Sequence, residues 1–417
     1  MLKPESLSKY FAALLLLGLL FAAAGYSVVL TYPNLLWELR GYSLKESRSE
    51  PGRLYNRVEN ALTYALPFRN TLLRDIHSSF LVYLGKRESR NFAVLKDDLG
   101  FLHHGDYYQR VDPNIMGYAK MLRSLKDTTG QEGGRVLLVG GIDKYLPEFT
   151  RIHTGYPLDL SASRNMDEFM LDLFSNGVET LDLRPLFESS GLEYERIYYK
   201  TDAGWTIPAA FAAAGMIADT LEQKFGFSLD PEAFYRNIKN YREILYPDAL
   251  QGVYGRTVGI PFGGLDDYRV LLPNFATSLS LFSSPASSEA IAEGPFEQCL
   301  LDNQYLVQSA RHRLSYVYLR HVDADTPIRR IVNHSRPGGA RVLLIGGGAG
   351  FIPTAAYLSL MCGELTFLSS ASRQFGADIE GLLAENSYDC VIFGVQVGSI
   401  GETMFPLLSK SEAGGGR

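Results

Sequence analysis

The strongest pattern along the chain is an uncharged stretch from Tyr10 to Thr31, apolar almost throughout between Phe11 and Phe21. About 22 residues at a rise of about 1.5 Å make roughly 33 Å of helix, enough to cross a hydrocarbon core of about 30 Å. The run therefore predicts a spanning helix over 10–31, preceded by a cytoplasmic tail over 1–9. Tyr10, Tyr26, Tyr32 and Trp37 lie near its ends, where amphipathic rings favour the headgroup zone. Ala22-Ala23-Ala24 before Gly25 also suits a signal-peptide cleavage site, which would remove residues 1–24. Either outcome carries the rest of the chain across the membrane. The polar stretch around Pro51 predicts a juxtamembrane linker over 32–53, with the folded part over 54–408 and a flexible tail over 409–417.

Past the linker, apolar residues recur at helical spacing over Arg57–Leu66 and Phe68–Leu84, with Pro67 between them. Short strand-like runs at Phe92–Leu95 and Gly100–Leu102 precede a helical pattern over Ile115–Leu125. Arg135–Val139, ending in Gly140-Gly141, is a continuous apolar run of the kind expected of a parallel strand covered on both faces. Helix over Asn165–Phe174, strand over Val178–Asp182 and helix over Ile207–Phe225, capped by Thr206 and stopped by Gly226, continue a βαβ alternation. The stretch 246–297 is rich in Gly, Pro and Ser without a clean period and reads as a loop-rich insertion. Order returns with strand Arg341–Ile345, helix Pro353–Met361, strand Leu365–Leu368, helix Ile379–Ala384 and strand Cys390–Phe393. The expected fold is α/β: a mostly parallel, doubly wound sheet with helices on both faces.

Composition narrows the function class. With 40 basic and 46 acidic residues the net charge is −6, and no basic block marks a nucleic-acid partner. Cys299, Cys362 and Cys390 are too few and scattered for a disulfide framework, and no Cys/His spacing suggests zinc or another metal. The 23 Phe and 25 Tyr against 21% charged residues require a sizeable core.

Two segments carry candidate chemistry. Gly346-Gly347-Gly348-Ala349-Gly350 joins a buried strand to a helix, where amides at a helix N-terminus can receive an anion. The next strand ends in Ser369-Ser370 and lacks an acidic residue to hold a ribose. Glycines at such a turn also serve close packing, and no cofactor is assigned. The second segment is Tyr198-Tyr199-Lys200-Thr201-Asp202-Ala203-Gly204-Trp205-Thr206, directly before a helix. It resembles the Tyr-Lys-Thr-Asp-x-His-Trp-Thr segment of the SGNH hydrolase-like alginate O-acetyltransferases, the AlgJ/AlgX group, and of the related DHHW proteins. Other pieces fall in the same order: Asn60–Arg69, Asp98–Gly105, Asp143-Lys144, Tyr254-Gly255-Arg256 and Arg341–Leu358.

In that family an Asp and a His of the segment orient and activate a Ser in a later Gly-Asp-Ser turn. The resemblance places Asp202 at the family Asp. Gly204, however, stands at the His position, and Gly347 and Gly348 stand at Asp-Ser. A triad stripped of its nucleophile and base keeps only binding and oxyanion contacts. Asp202 is thus a remnant, free to serve as a helix N-terminal charge. Lys144, Trp205, Gly347 and Gly348 are the candidate glycan-binding residues. His103-His104 is the one histidine pair, on an expected loop. The resemblance implies polysaccharide or cell-envelope O-acetylation, with a glycan or acyl-glycan and a polytopic membrane acyltransferase as partners. The first expectation is a catalytically degenerate binding protein. The others are an active acetyltransferase or esterase using unidentified residues, and a cofactor binder built on the glycine-rich loop.

Overall fold

The computed structural model describes residues 73–104, 135–142, 144, 161–302, 317–320, 322–396 and 400, together with Gly18 and scattered helical positions between 116 and 123. Apart from Gly18, the expected spanning run over 10–31 lies outside the described residues, as do the linker, the helix over Arg57–Leu66, Asp143 and the C-terminal tail. Among those described, no helix is long and apolar enough to cross a membrane. The chain divides into two compact units at Leu84/Gly85. The first contributes one described helix, α1 (Leu73–Tyr83). The second unit runs from Gly85.

In the second unit, β1 (Glu88–Ser89), β2 (Val94–Lys96) and β3 (Leu102–His104) form a small antiparallel sheet. There follow β4 (Val136–Gly140), α2 (Ser161–Ser175), β5 (Glu179–Asp182), α3 (Leu183–Ser189), α4 (Tyr194–Ile197) and α5 (Ile207–Phe225). Next come β6 (Tyr241–Leu250), α6 (Val253–Val258), α7 (Ile260–Gly263) and β7 (Asp266–Pro273), then β8 (Leu279–Phe282), β9 (Ala292–Gly294) and α8 (Phe296–Leu300). The chain closes with β10 (Ile328–Asn333), β11 (Arg341–Gly346), α9 (Gly348–Leu358), β12 (Glu364–Ser369), α10 (Phe375–Glu385) and β13 (Cys390–Val395).

The main sheet has the order β5-β4-β13-β11-β12-β10-β8-β9. From β5 to β12 every pairing is parallel, whereas β10, β8 and β9 are added antiparallel. The sheet is therefore mixed, with the expected parallel arrangement confined to one side. β4 and β13 are buried at every position, and β11 at all but its first. Alternate side chains feed two cores, as the pleat demands. Leu137, Val139, Leu344 and Ile392 face α5 and α9, while Leu138, Leu343, Ile345 and Phe393 face α2 and α10.

α5 matches its expected limits because both ends carry strong stop signals. The Thr206 hydroxyl accepts from Ala209 N–H, and Gly226 takes the left-handed conformation at φ 70°. Its alanines let α9 approach closely enough for the Thr354 hydroxyl to bond the Ala210 carbonyl at 3.3 Å. The stretch 246–297 is not the loop-rich insertion expected. It supplies most of the β6–β7 ribbon and two strands of the main sheet. Sequence reading missed these strands because Gly and Pro sit between short elements, and because β6 alternates around charged, half-exposed positions.

Candidate functional site

The parallel strands β4, β11 and β13 end together, and ligands of open α/β sheets lie outside such carboxyl ends. Gly141 N–H bonds the Val395 carbonyl at 2.7 Å, and β11 runs through Gly347 into α9. The turn carrying residues 198–206 closes through a Tyr198–Trp205 bridge.

This turn is clamped from two directions. Lys144, only 5% exposed, donates from Nζ to the main-chain carbonyls of Lys200 at 2.8 Å and Asp202 at 2.9 Å. Its ammonium lies 5.6 Å from the Phe101 ring centre and 5.4 Å from that of Tyr254. Lys144 is therefore an interior strut and not a cleft-lining contact. From the other side, the buried Asp266 carboxylate accepts from Lys200 N–H at 2.5 Å, from Thr201 N–H at 2.7 Å and from the Thr201 hydroxyl at 2.5 Å. Burial raises the Asp266 pKa above the usual carboxylate range, against the opposing pull of these bonds and of the Lys144 charge.

Asp202 meets neither a histidine nor a serine among the described residues. Its Oδ1 accepts from Gly204 N–H at 2.9 Å and its Oδ2 from Val253 N–H at 2.8 Å. The carboxylate does sit at a helix N-terminus, that of α6, whereas α5 is capped by Thr206. The Thr201 hydroxyl accepts from Gly252 N–H at 2.7 Å, and Gly255 N–H donates to the Thr201 carbonyl at 2.9 Å, which fixes α6 against the turn. A Cβ at Gly252 would come within 2.5 Å of the Asp202 main-chain nitrogen.

The glycine-rich turn is filled by the protein's own aromatic rings. A Cβ at Gly350 would lie 2.5 Å from the Trp205 ring, one at Gly346 would lie 2.8 Å from Phe351 Cβ, and one at Gly394 would lie 2.5 Å from the Phe351 ring. Gly347, extended at φ −113° and ψ 158°, leaves its side-chain space to the Ser370 hydroxyl, and Gly348 begins α9. These glycines serve close packing, so the geometry favours that role over a cofactor loop. Trp205 is 1% exposed, packs 5.0 Å from Phe351 and 6.4 Å from Phe187, and donates from Nε1 to the Ile142 carbonyl at 3.2 Å. It is a core residue and presents no face to a sugar.

The structure thus brings Lys144, Asp202, Trp205, Gly347 and Gly348 to one end of the sheet, with the first and third inside the protein. Sequence reasoning missed Asp266. Its signal was the alternation that buries Asp266, Tyr268 and Val270 while Asp267 and Arg269 stay partly exposed. His103 and His104 end a strand and do not sit on a loop: His103 is buried with Nε2 2.9 Å from Asp97 Oδ2, and His104 is exposed. No metal-binding cluster occurs among the described residues.

Comparison with known proteins agrees with this architecture. Residues 96–244 match the family described as "SGNH hydrolase-like domain, acetyltransferase AlgX". No curated protein matches the chain significantly. Among solved structures, Bacillus cereus PatB1 is similar over 75% of this chain and 98% of its own, at 15% identity and a TM-score of 0.58. A DHHW family protein from Eubacterium siraeum is similar over 76% of this chain and 95% of its own, at 16% identity and a TM-score of 0.51. The O-acetyltransferase domain of Pseudomonas putida AlgJ covers 75% of this chain and 92% of its own, at 11% identity and a TM-score of 0.45.

Proposed function

We propose that this chain, which carries an AlgX-type SGNH hydrolase-like domain, serves O-acetylation of a cell-envelope or exopolysaccharide glycan as a catalytically degenerate member that binds glycan or partner. The observation that carries the reading is the state of Asp202. In a working triad the carboxylate orients an imidazole, which in turn deprotonates the nucleophile. Here both carboxylate oxygens accept main-chain amides, those of Gly204 and Val253. The resemblance puts a glycine at the position of each missing catalytic partner, Gly204 for the base and Gly348 for the nucleophile. Acyl transfer by this route then has no group to form the acyl-enzyme bond and none to take its proton.

What such a surface retains is binding. A carboxylate and main-chain amides at the mouth of a parallel sheet hydrogen-bond hydroxyls and acyl oxygens without changing them. The uncharged run over 10–31 would hold the domain at the outer membrane face, within reach of a polytopic acyltransferase that passes acetyl groups outward. Purified protein incubated with p-nitrophenyl acetate is expected to show no turnover above the uncatalysed rate. Turnover abolished by Asp202→Ala would refute the degenerate reading. Carbonate washing is expected to leave the full-length protein in the membrane fraction, and its release would refute the anchor.

A further inference from the structure

Resting on the glycan-binding reading above, we propose that the sugar contact is made by Tyr254 and His104 beside Asp202, a rim that takes a pyranose ring of the glycan. Trp205, the aromatic residue of the 198–206 turn best suited by type to stack on a sugar, is interior, and Lys144 is a buried strut. Tyr254 is only partly buried, and His104 is exposed at the end of β3. Their ring centres are 6.1 Å apart and the planes are inclined by 37°. The pair is an aromatic patch shared by two elements, β3 and α6, with the Lys144 ammonium 5.4 Å from the Tyr254 ring centre.

Three features suit that surface to a sugar. The first is rigidity: Val253 N–H is held by Asp202 Oδ2 at 2.8 Å, Gly255 N–H by the Thr201 carbonyl at 2.9 Å, and Arg256 N–H by the Gly252 carbonyl at 2.8 Å. Tyr254 lies between these anchored amides, so binding orders little that is not already ordered. The second is the neighbouring carboxylate. Asp202 is partly exposed and uses one amide bond per oxygen, which leaves lone pairs for sugar hydroxyls. The third is the combination itself, an apolar ring face for the C–H face of a pyranose with a polar acceptor at its edge, the arrangement by which mixed surfaces fix orientation.

The test is titration of full-length protein with cello-, mannuronate and chito-oligosaccharides, followed by calorimetry, for the parent and for Tyr254→Ala and His104→Ala. For a sugar that the parent binds, Tyr254→Ala is expected to weaken affinity by about 5- to 150-fold, with His104→Ala weakening it less. Melting curves accompany both variants. If Tyr254→Ala fails to fold, His104→Ala decides the matter, because its side chain is exposed and its removal leaves the core intact. A parent that binds while folded variants bind equally well overturns the assignment of Tyr254 and His104 and leaves the glycan-binding function standing. A parent that binds none of the three classes overturns both.

Discussion

The clamp beneath the candidate site can be tested at Asp266. Its carboxylate is 6% exposed and accepts two main-chain amides and one hydroxyl of the Lys200-Thr201 segment. Asp266→Ala leaves these donors without an acceptor. Each buried unsatisfied group costs about 1–3 kcal/mol, so the two amides alone set a range of roughly 2–6 kcal/mol. Water entering the space left by the carboxyl group recovers part of this, giving an expected loss of about 3 kcal/mol. At an unfolding entropy of about 2.1 cal/mol/K per residue, the unit from Gly85 to Arg417 shifts by roughly 1.4 °C per kcal/mol, so the melting temperature should fall by about 4 °C.

The pH dependence has a definite sign. The Asp266 pKa is raised in the fold by burial, so the native state holds its proton over a pH window in which the unfolded chain has lost it. Stability contributed by this group is present below the unfolded carboxylate pKa and is lost as pH rises through the folded one. The cost of Asp266→Ala should therefore shrink as pH is raised from about 4 toward neutrality. Thermal and denaturant unfolding across that range measures it. A cost that grows with pH would mean that the three hydrogen bonds outweigh burial, and a melting point unchanged by the mutation would refute the clamp.

Burial pushes the thiols of Cys299 and Cys362 up to about 12 and raises that of Cys390 as well, so none should react with an alkylating reagent at pH 8 until the protein is unfolded. Modification of the native protein, read by mass spectrometry, would contradict the burial of the modified thiol. Trp205→Ala removes a ring packed against Phe187, Phe351 and Gly350 and should cost about 3–5 kcal/mol, measured as a lower denaturant midpoint. Gly252 has φ −69°, which alanine adopts freely, so Gly252→Ala tests contact alone; the clash with the Asp202 backbone should cost about 1–3 kcal/mol in the same assay.

Sequence alone determined the parts of this protein whose signals are local. The buried runs of β4, β11 and β13 need cover on both faces, and that need marks them as central parallel strands before any partner is known. α5 carries its own cap and stop in Thr206 and Gly226. The resemblance around Asp202 and the glycines at 204 and 348 are likewise legible in the chain. Tertiary structure decided the rest, because burial and side-chain direction depend on residues far away in sequence. Trp205 reads as a sugar-stacking ring until α9 brings Gly350 and Phe351 against it. Lys144 reads as a cleft cation until its ammonium is seen holding the Lys200 and Asp202 carbonyls. Asp266 had no reading at all, since nothing in its neighbourhood on the chain reveals that the β6–β7 ribbon carries it to Thr201, 65 residues away. A carboxylate's role is set by the donors that surround it, and only folding supplies those.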